Sequence, residues 1–340
     1  MIISKKKPFY PVKKKLSKYL IDFDRQQEIP IKYEDLLQSK GSFPLEDLKG
    51  NDTLWETLMY DPYAWEEINE HLTYMYLMLK MEGDTTAMPH LKVDRIDYCT
   101  FGNSKPFRVR IINQFNDNYD YFYVKKVDAS RIYGLELEHI LSPNRINYLV
   151  DEDTLIEEHI SGIPGDQFIK YDLNRDSLNK VRLAKEFIKF NERCFVKLLG
   201  DMRSYNYVID VTPDFDAEQY RVRAIDFDQQ CYEGNKKMYL SQFFVENYPI
   251  VQFCIDTMNA ETTYQYQLEE RTLIKKRYHS SEKKMKRLIN CMKVDKISTP
   301  EKMKQLKEEL NEHHSTDSFS VCKSMGEILS NQMDIMLHGK

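Results

Sequence analysis

The sequence predicts an α+β fold, with a small antiparallel sheet in its first half and a larger helical region in its second. Three observations carry this prediction. Strand-like segments at 91–100, 107–115 and 121–127 are separated by the turn formers Gly102-Asn103 and Asn116-Asp117-Asn118, the pattern of a meander. A long amphipathic helix over 178–199 sets Val181, Ala184, Phe187, Ile188, Cys194, Val196 and Leu198 mostly at helical spacing. From 239 to 340 the remaining periodicity is helical.

Bulk composition narrows the function classes. A chain of 340 residues is long enough for one large or two ordinary domains with a sizeable core. Its net charge of −5 gives no global attraction to nucleic acid, so none is expected as a partner. Cys99, Cys194, Cys231, Cys254, Cys291 and Cys322 show neither C-x-x-C nor Cys/His spacing. A zinc site or a disulfide framework is therefore not expected, and a reducing cytoplasm suits the thiols. The opening MIISKKKPFY lacks the apolar core of a signal peptide, and no run of about 18 apolar residues occurs. The expected location is the cytoplasm.

In chain order, residues 1–88 read as a mostly helical N-terminal extension. Lys5–Lys7 and Lys13–Lys15 are basic triplets that offer weak contact to a membrane surface or an acidic partner. Leu54, Leu58, Trp65, Ile68, Leu72 and Met75 recur at three- and four-residue steps, with Pro62 as an interruption. The turn-rich 83–89 stretch marks a boundary. Residues 89–160 then hold the meander, a helix over 130–141 and two further strands at 145–150 and 154–160. Residues 161–340 form the helical remainder. The 178–199 helix is expected to stop at Gly200. Beyond it come a helix at 239–258 interrupted by Pro249, a basic one at 268–292 and a charged one at 300–313.

Residues 199–229 hold the candidate chemistry. Asp201 precedes Asn206 by five positions, and Asp226 ends the mostly apolar run 222–225. A strand at 207–210, a polar turn at 212–218 and a returning strand at 220–226 form a hairpin that sets Asn206 beside Asp226. Magnesium takes hard oxygen ligands, often one or two protein donors plus phosphates and water, and an amide with a carboxylate fits that demand. Asp201, on the same loop, suits a carboxylate that orients a hydroxyl and accepts its proton.

The motifs G-D-x-x-x-x-N at 200–206 and I-D-F-D at 225–228 resemble the catalytic and metal-binding loops of the protein-kinase-like superfamily. Their form is closest to the aminoglycoside-, choline- and fructosamine-kinase-type phosphotransferases. L-I-E-E-H-I-x-G-x-P-G at 155–165 resembles the lobe-connecting hinge of that branch, and the order of motifs from 91 to 258 matches the family's. The resemblance implies a two-lobed fold, with the sheet lobe at 89–160 and the helical lobe at 161–340. It implies ATP and Mg2+ as cofactors, with Asn206, Asp226 and Asp228 as metal ligands. Asp201 would be the base, and Arg203 would steady the transferred phosphate.

By the same resemblance, a lysine of the YFYVKKVD strand would hold phosphates. Alternation of strand side chains admits either Lys125 or Lys126, and a modest Val124 two positions earlier leans toward Lys126. A helix glutamate would pair with that lysine, Glu136 in preference to Glu138 because it lies four residues from Ile132 and Ile140. Backbone groups of Glu158, His159 and Ile160 would bond adenine. The turn 101–106 would meet phosphate through Asn103 or Ser104, although it has one glycine where protein kinases have three. The expected activity is transfer of the γ-phosphoryl group of ATP to a hydroxyl of a small molecule or protein. The alternative is a catalytically weak, nucleotide-binding regulator of the same fold.

Overall fold

Alternating apolar residues over 91–126 become a continuous antiparallel ladder. The computed structural model describes residues 7–47, 49–80, 85–100, 104–214 and 218–339. Two compact units emerge, Met1–Asp128 with Ile146–His159 as unit 1, and Ala129–Arg145 with Ile160–Lys340 as unit 2. The chain is α+β, with one large antiparallel sheet and many helices.

Unit 1 opens with helices α1 (Lys14–Asp22) and α2 (Tyr33–Leu36). Its strands are β1 (Gly41–Glu46), β2 (Asp52–Met59), β3 (Leu91–Cys99), β4 (Phe107–Asn113), β5 (Tyr119–Lys126), β6 (Tyr148–Asp151) and β7 (Thr154–Glu158). They form a single sheet in the order β1-β2-β3-β4-β5-β7-β6. Ile96 faces Val109, Val109 faces Phe122, and Val124 faces Ile156, so one surface of the sheet is apolar. Helix α3 (Pro62–Lys80) covers it with Ile68, Leu72 and Met75, from the stripe its spacing predicted, and with Leu79 one turn further on.

Residues 1–88 depart from the expected helical extension. Leu54 and Leu58 have helical spacing, yet they lie in β2, a segment whose Thr53, Trp55 and Thr57 favour extended backbone. Trp55 pairs with Cys99, which puts β1 and β2 in the same sheet as the meander. Pro62 starts α3 instead of interrupting it, because a first-turn residue needs no helical N–H bond. The Asp61 carboxylate accepts from the Tyr63 N–H at 3.1 Å, and its carbonyl accepts from the Trp65 N–H. Lys7, in a basic triplet expected to offer contact to a membrane surface or an acidic partner, is buried and paired with Asp128.

Unit 2 is built on α6 (Lys180–Lys197), joined by α4 (Ala129–Leu141), β8 (Ile163–Pro164) and α5 (Gly165–Tyr171). The hairpin β9 (Tyr207–Thr212) and β10 (Gln219–Ala224) pairs with β8 in the order β10-β9-β8. Helices α7 (Tyr248–Thr257), α8 (Ala260–Ser280), α9 (Glu282–Met292), α10 (Pro300–His314) and α11 (Met325–His338) follow. Asn179 caps α6 by accepting from the Arg182 N–H at 3.1 Å. From Phe187 onward α6 is buried on all sides, charged residues included. Those charges are paired: Lys189 with Glu269 at 2.8 Å, Glu192 with Arg271 at 2.5 Å, Arg193 with Glu270 at 3.4 Å and Lys197 with Glu138.

Three helix boundaries differ from expectation. Leu198, not Gly200, ends α6 in the left-handed region, at φ 51°. Pro249 opens α7 from its first turn, after short 3-10 turns over 236–247. The 268–292 helix is two, because Ser281 leaves helical backbone at φ −122° and ψ 29°.

Candidate active site

Hairpin β9–β10 sets the candidate site. Tyr207 pairs with Ala224, and one step further the Ile225 N–H donates to the Asn206 carbonyl at 3.0 Å. Asn206 and Asp226 are therefore neighbours across the hairpin base, as their spacing predicted. Gly200 permits the approach of the two loops: its N–H donates to the Gln229 carbonyl, and a Cβ there would meet that carbonyl at 3.2 Å and the Tyr239 ring at 3.3 Å.

The 201–206 loop is closed on itself. Asp201 has left-handed backbone at φ 60°, and its N–H donates to the Met238 carbonyl at 2.9 Å. The Asn206 amide nitrogen donates to the Asp201 carbonyl at 2.7 Å, which leaves the amide oxygen as its acceptor end. Arg203 Nε donates to the Asp201 carboxylate at 2.9 Å, and the same guanidinium reaches Glu246 at 2.7 Å. Asp201 is only 6% exposed. Burial pushes its carboxyl from the ordinary 3.8 up to about 6; Arg203 opposes this rise, while Asp226 and Glu233 add to it.

Asp226 and Asp228 share Arg131, a residue with no place among the sequence motifs. Arg131 Nη1 lies 2.9 Å from Asp226 Oδ1 and 2.7 Å from Asp228 Oδ1, and its side chain is 2% exposed. The Asp228 N–H also donates to Asp226 Oδ1, at 3.0 Å. Helix α4 delivers Arg131 by close approach. Ser130 Oγ donates to the Gln230 carbonyl at 2.7 Å, and a Cβ on Gly134 would sit 3.0 Å from that of Phe227. A carboxylate pair at the end of an apolar run demands a counter-charge, but nothing in the spacing names which arginine supplies it.

Asn206 offers an amide oxygen and Asp226 a carboxylate on a side chain 35% exposed, the hard-oxygen donor types that magnesium takes. Asp228, the third expected ligand, is 10% exposed and bonded to the same Arg131 nitrogen as Asp226. Among the described residues no group of three or more His, Cys, Asp and Glu side chains could hold a metal ion.

Residues expected to bind nucleotide fall in both units. In unit 1, Lys125 is the buried lysine of β5, paired with Glu157 at 2.7 Å, whereas Lys126 is 43% exposed and paired with Glu34 at 2.6 Å. Burial thus falls to Lys125, whereas the sequence leaned toward Lys126. Lys125 and Tyr123 share a face of β5, and Tyr123 opposes Glu157 on β7, so the ion pair follows from register. In unit 2, Glu136 is fully buried and paired with Lys284 at 2.5 Å. Glu138 takes Lys197, which holds its carboxyl below the usual range against the opposing pull of burial. Each helix glutamate thus has a lysine partner within its own unit.

The expected hinge is partly committed to the sheet. The Glu158 N–H donates to the Asn147 carbonyl at 3.1 Å, and its carboxylate accepts from the Asn147 N–H at 3.0 Å. His159 Nδ1 is 3.2 Å from the Tyr123 hydroxyl, and burial holds the imidazole below its usual pKa. Ile160 is buried in unit 2. Ser104 is a half-buried turn residue, and Asn103 lies outside the described residues.

No family model matches the chain. No curated protein matches it either. Among solved structures, one titled "Titin kinase and its flanking domains" is similar at 13% identity and a TM-score of 0.25. The match covers 68% of this chain and 51% of that one, so the chain spans about half the length of its neighbour. At that TM-score the likeness carries neither fold nor function.

Proposed function

We propose that the chain is a kinase-like phosphotransferase that uses ATP and magnesium to phosphorylate a hydroxyl of a small molecule or protein. The observation that carries this reading is the geometry of one loop pair. Asn206 is bonded to the Asp201 carbonyl and set beside Asp226, with Arg203 on the Asp201 carboxylate. Asp201 takes the acceptor's proton; a carboxyl near 6 is ionised at neutral pH yet basic enough to assist. Asn206 and Asp226 hold the magnesium, which when bound offsets charge on the transferred phosphate. Arg203 both orients Asp201 and offers guanidinium N–H groups to phosphate oxygens. In unit 1, Lys125, buried and bonded to Glu157, is the candidate phosphate-binding lysine. A cytoplasmic location and a partner set of nucleotide plus hydroxyl acceptor complete the proposal.

One observation favours a second reading. Arg131 already supplies a positive charge to Asp226 and Asp228, which suits a kinase-like regulator with little metal-dependent turnover. ATP consumption across an acceptor library separates the two. The phosphotransferase reading expects magnesium-dependent turnover that Asp201→Asn removes; the regulator reading expects nucleotide binding without turnover.

A further inference from the structure

Unit 2 holds a second cavity that the Asp201 site does not use. It has a volume of about 460 Å3 and lies among α6, α7 and the first turns of α8. Phe187, Ile188, Val251 and Met258 give it apolar walls, and no Asp, Glu, Lys, Arg or His lines it among the described residues. The Cys254 thiol on its wall is pushed up to about 12 by burial.

One polar group on the wall is incompletely bonded. Asn191 lies on the same face of α6 as Phe187 and Ile188, and it is only 7% exposed. Its amide nitrogen donates to Gln242 Oε1 at 2.5 Å, while its Oδ1 is buried with no partner among the described residues. Buried acceptors are rarely left so, because a lone amide oxygen forfeits its hydration. Gln242, which accepts from the Asn191 amide nitrogen, is an exposed side chain on the rim, and its rotation would open Asn191 Oδ1 to a ligand.

We infer that this cavity binds a neutral small molecule with an apolar body and one hydrogen-bond donor, the donor going to Asn191 Oδ1. Its volume is roughly three times the 150 Å3 that admits benzene, so a fused two-ring body fits. The absence of charged lining residues favours neutral ligands, because an ionised one would find no counter-charge on the walls. The acceptor needs a donor and rejects an isostere that lacks one. The site stands whether or not the chain transfers phosphate.

Three probes of one shape test this on the full chain: 2-naphthol, 2-methoxynaphthalene and naphthalene, titrated by fluorescence at neutral pH. The expected result is saturable binding of 2-naphthol at one site per chain, at least tenfold tighter than the ether or the hydrocarbon. Asn191→Leu is expected to erase that preference while keeping apolar binding. Ile255→Trp and Ala260→Trp, both at lining positions, are expected to weaken 2-naphthol at least tenfold with melting temperatures close to wild type. If one tryptophan variant does not fold, the other decides. Absence of saturable 2-naphthol binding, equal affinity for the ether, or indifference to the folded tryptophan variants overturns the inference.

Discussion

Arg131→Met removes the guanidinium between Asp226 and Asp228 while keeping an unbranched apolar stem. In the wild type both carboxylates lie within 3 Å of Arg131 Nη1, whose side chain is 2% exposed. Removing one partner of a buried pair costs about 3–5 kcal/mol, because the remaining charge stays desolvated. Asp226 is 35% exposed and rehydrates in part, whereas Asp228 at 10% does not, so the lower end applies, about 3 kcal/mol. For a unit of this size, 1 kcal/mol moves the melting temperature by about 2–4 °C, giving a drop of about 6–12 °C. Thermal unfolding by circular dichroism at pH 7 and low salt reads this directly. Asp228→Asn added to Arg131→Met is expected to recover part of the loss, with a coupling above about 1 kcal/mol. An Arg131→Met protein melting within 1–2 °C of wild type, or strict additivity in the pair, would refute the clamp.

Four further outcomes are expected. Lys125→Met removes the ammonium bonded to the buried Glu157 and is expected to cost about 3 kcal/mol in urea unfolding, while Lys126→Met, at an exposed pair, changes stability by about 0.5 kcal/mol or less. Asp201 carries the opposite sign from an ordinary ion-paired acid. Its folded carboxyl titrates above the unfolded one, so its contribution to stability is fully present below about 3.8 and lost as pH rises through about 6. Asp201→Asn is therefore expected to melt higher than wild type at pH 7, with the gap closing near pH 4, while phosphoryl transfer falls by about 10²–10⁴-fold. Transfer by the wild type is expected to rise with pH through about 6 as Asp201 ionises. Gly134→Val drives a side chain into Phe227 and Gln230, and a loss of about 1–3 kcal/mol is expected by thermal melting.

Much of the skeleton was legible because period and turn chemistry act locally. The meander, α4, α6 and the β9–β10 hairpin stand within a few residues of their sequence positions. The failures share a cause. Leu54 and Leu58 fit a helical step, but sheet pairing with β3 decided their backbone. Pro62 and Pro249 were treated as breaks, although a proline is equally at home in a first turn.

Within the candidate site, Asp201, Asn206 and Asp226 could be placed because one hairpin brings them together. Arg131 could not. It joins Asp226 from 95 positions away through a helix docked by Gly134 and Ser130, a contact that no local spacing encodes. Which of the two lysines is buried was not legible for a similar reason. A strand's alternation divides Lys125 from Lys126, but only the register of β7 shows which meets a carboxylate.

Calorimetric titration of the chain with ATP, with and without magnesium, followed by ATP consumption over an acceptor library, tests the central claim most directly. The account predicts magnesium-dependent binding that Asp226→Asn weakens, together with turnover lost in Asp201→Asn. Failure of wild-type protein to bind ATP in the presence of magnesium would contradict it.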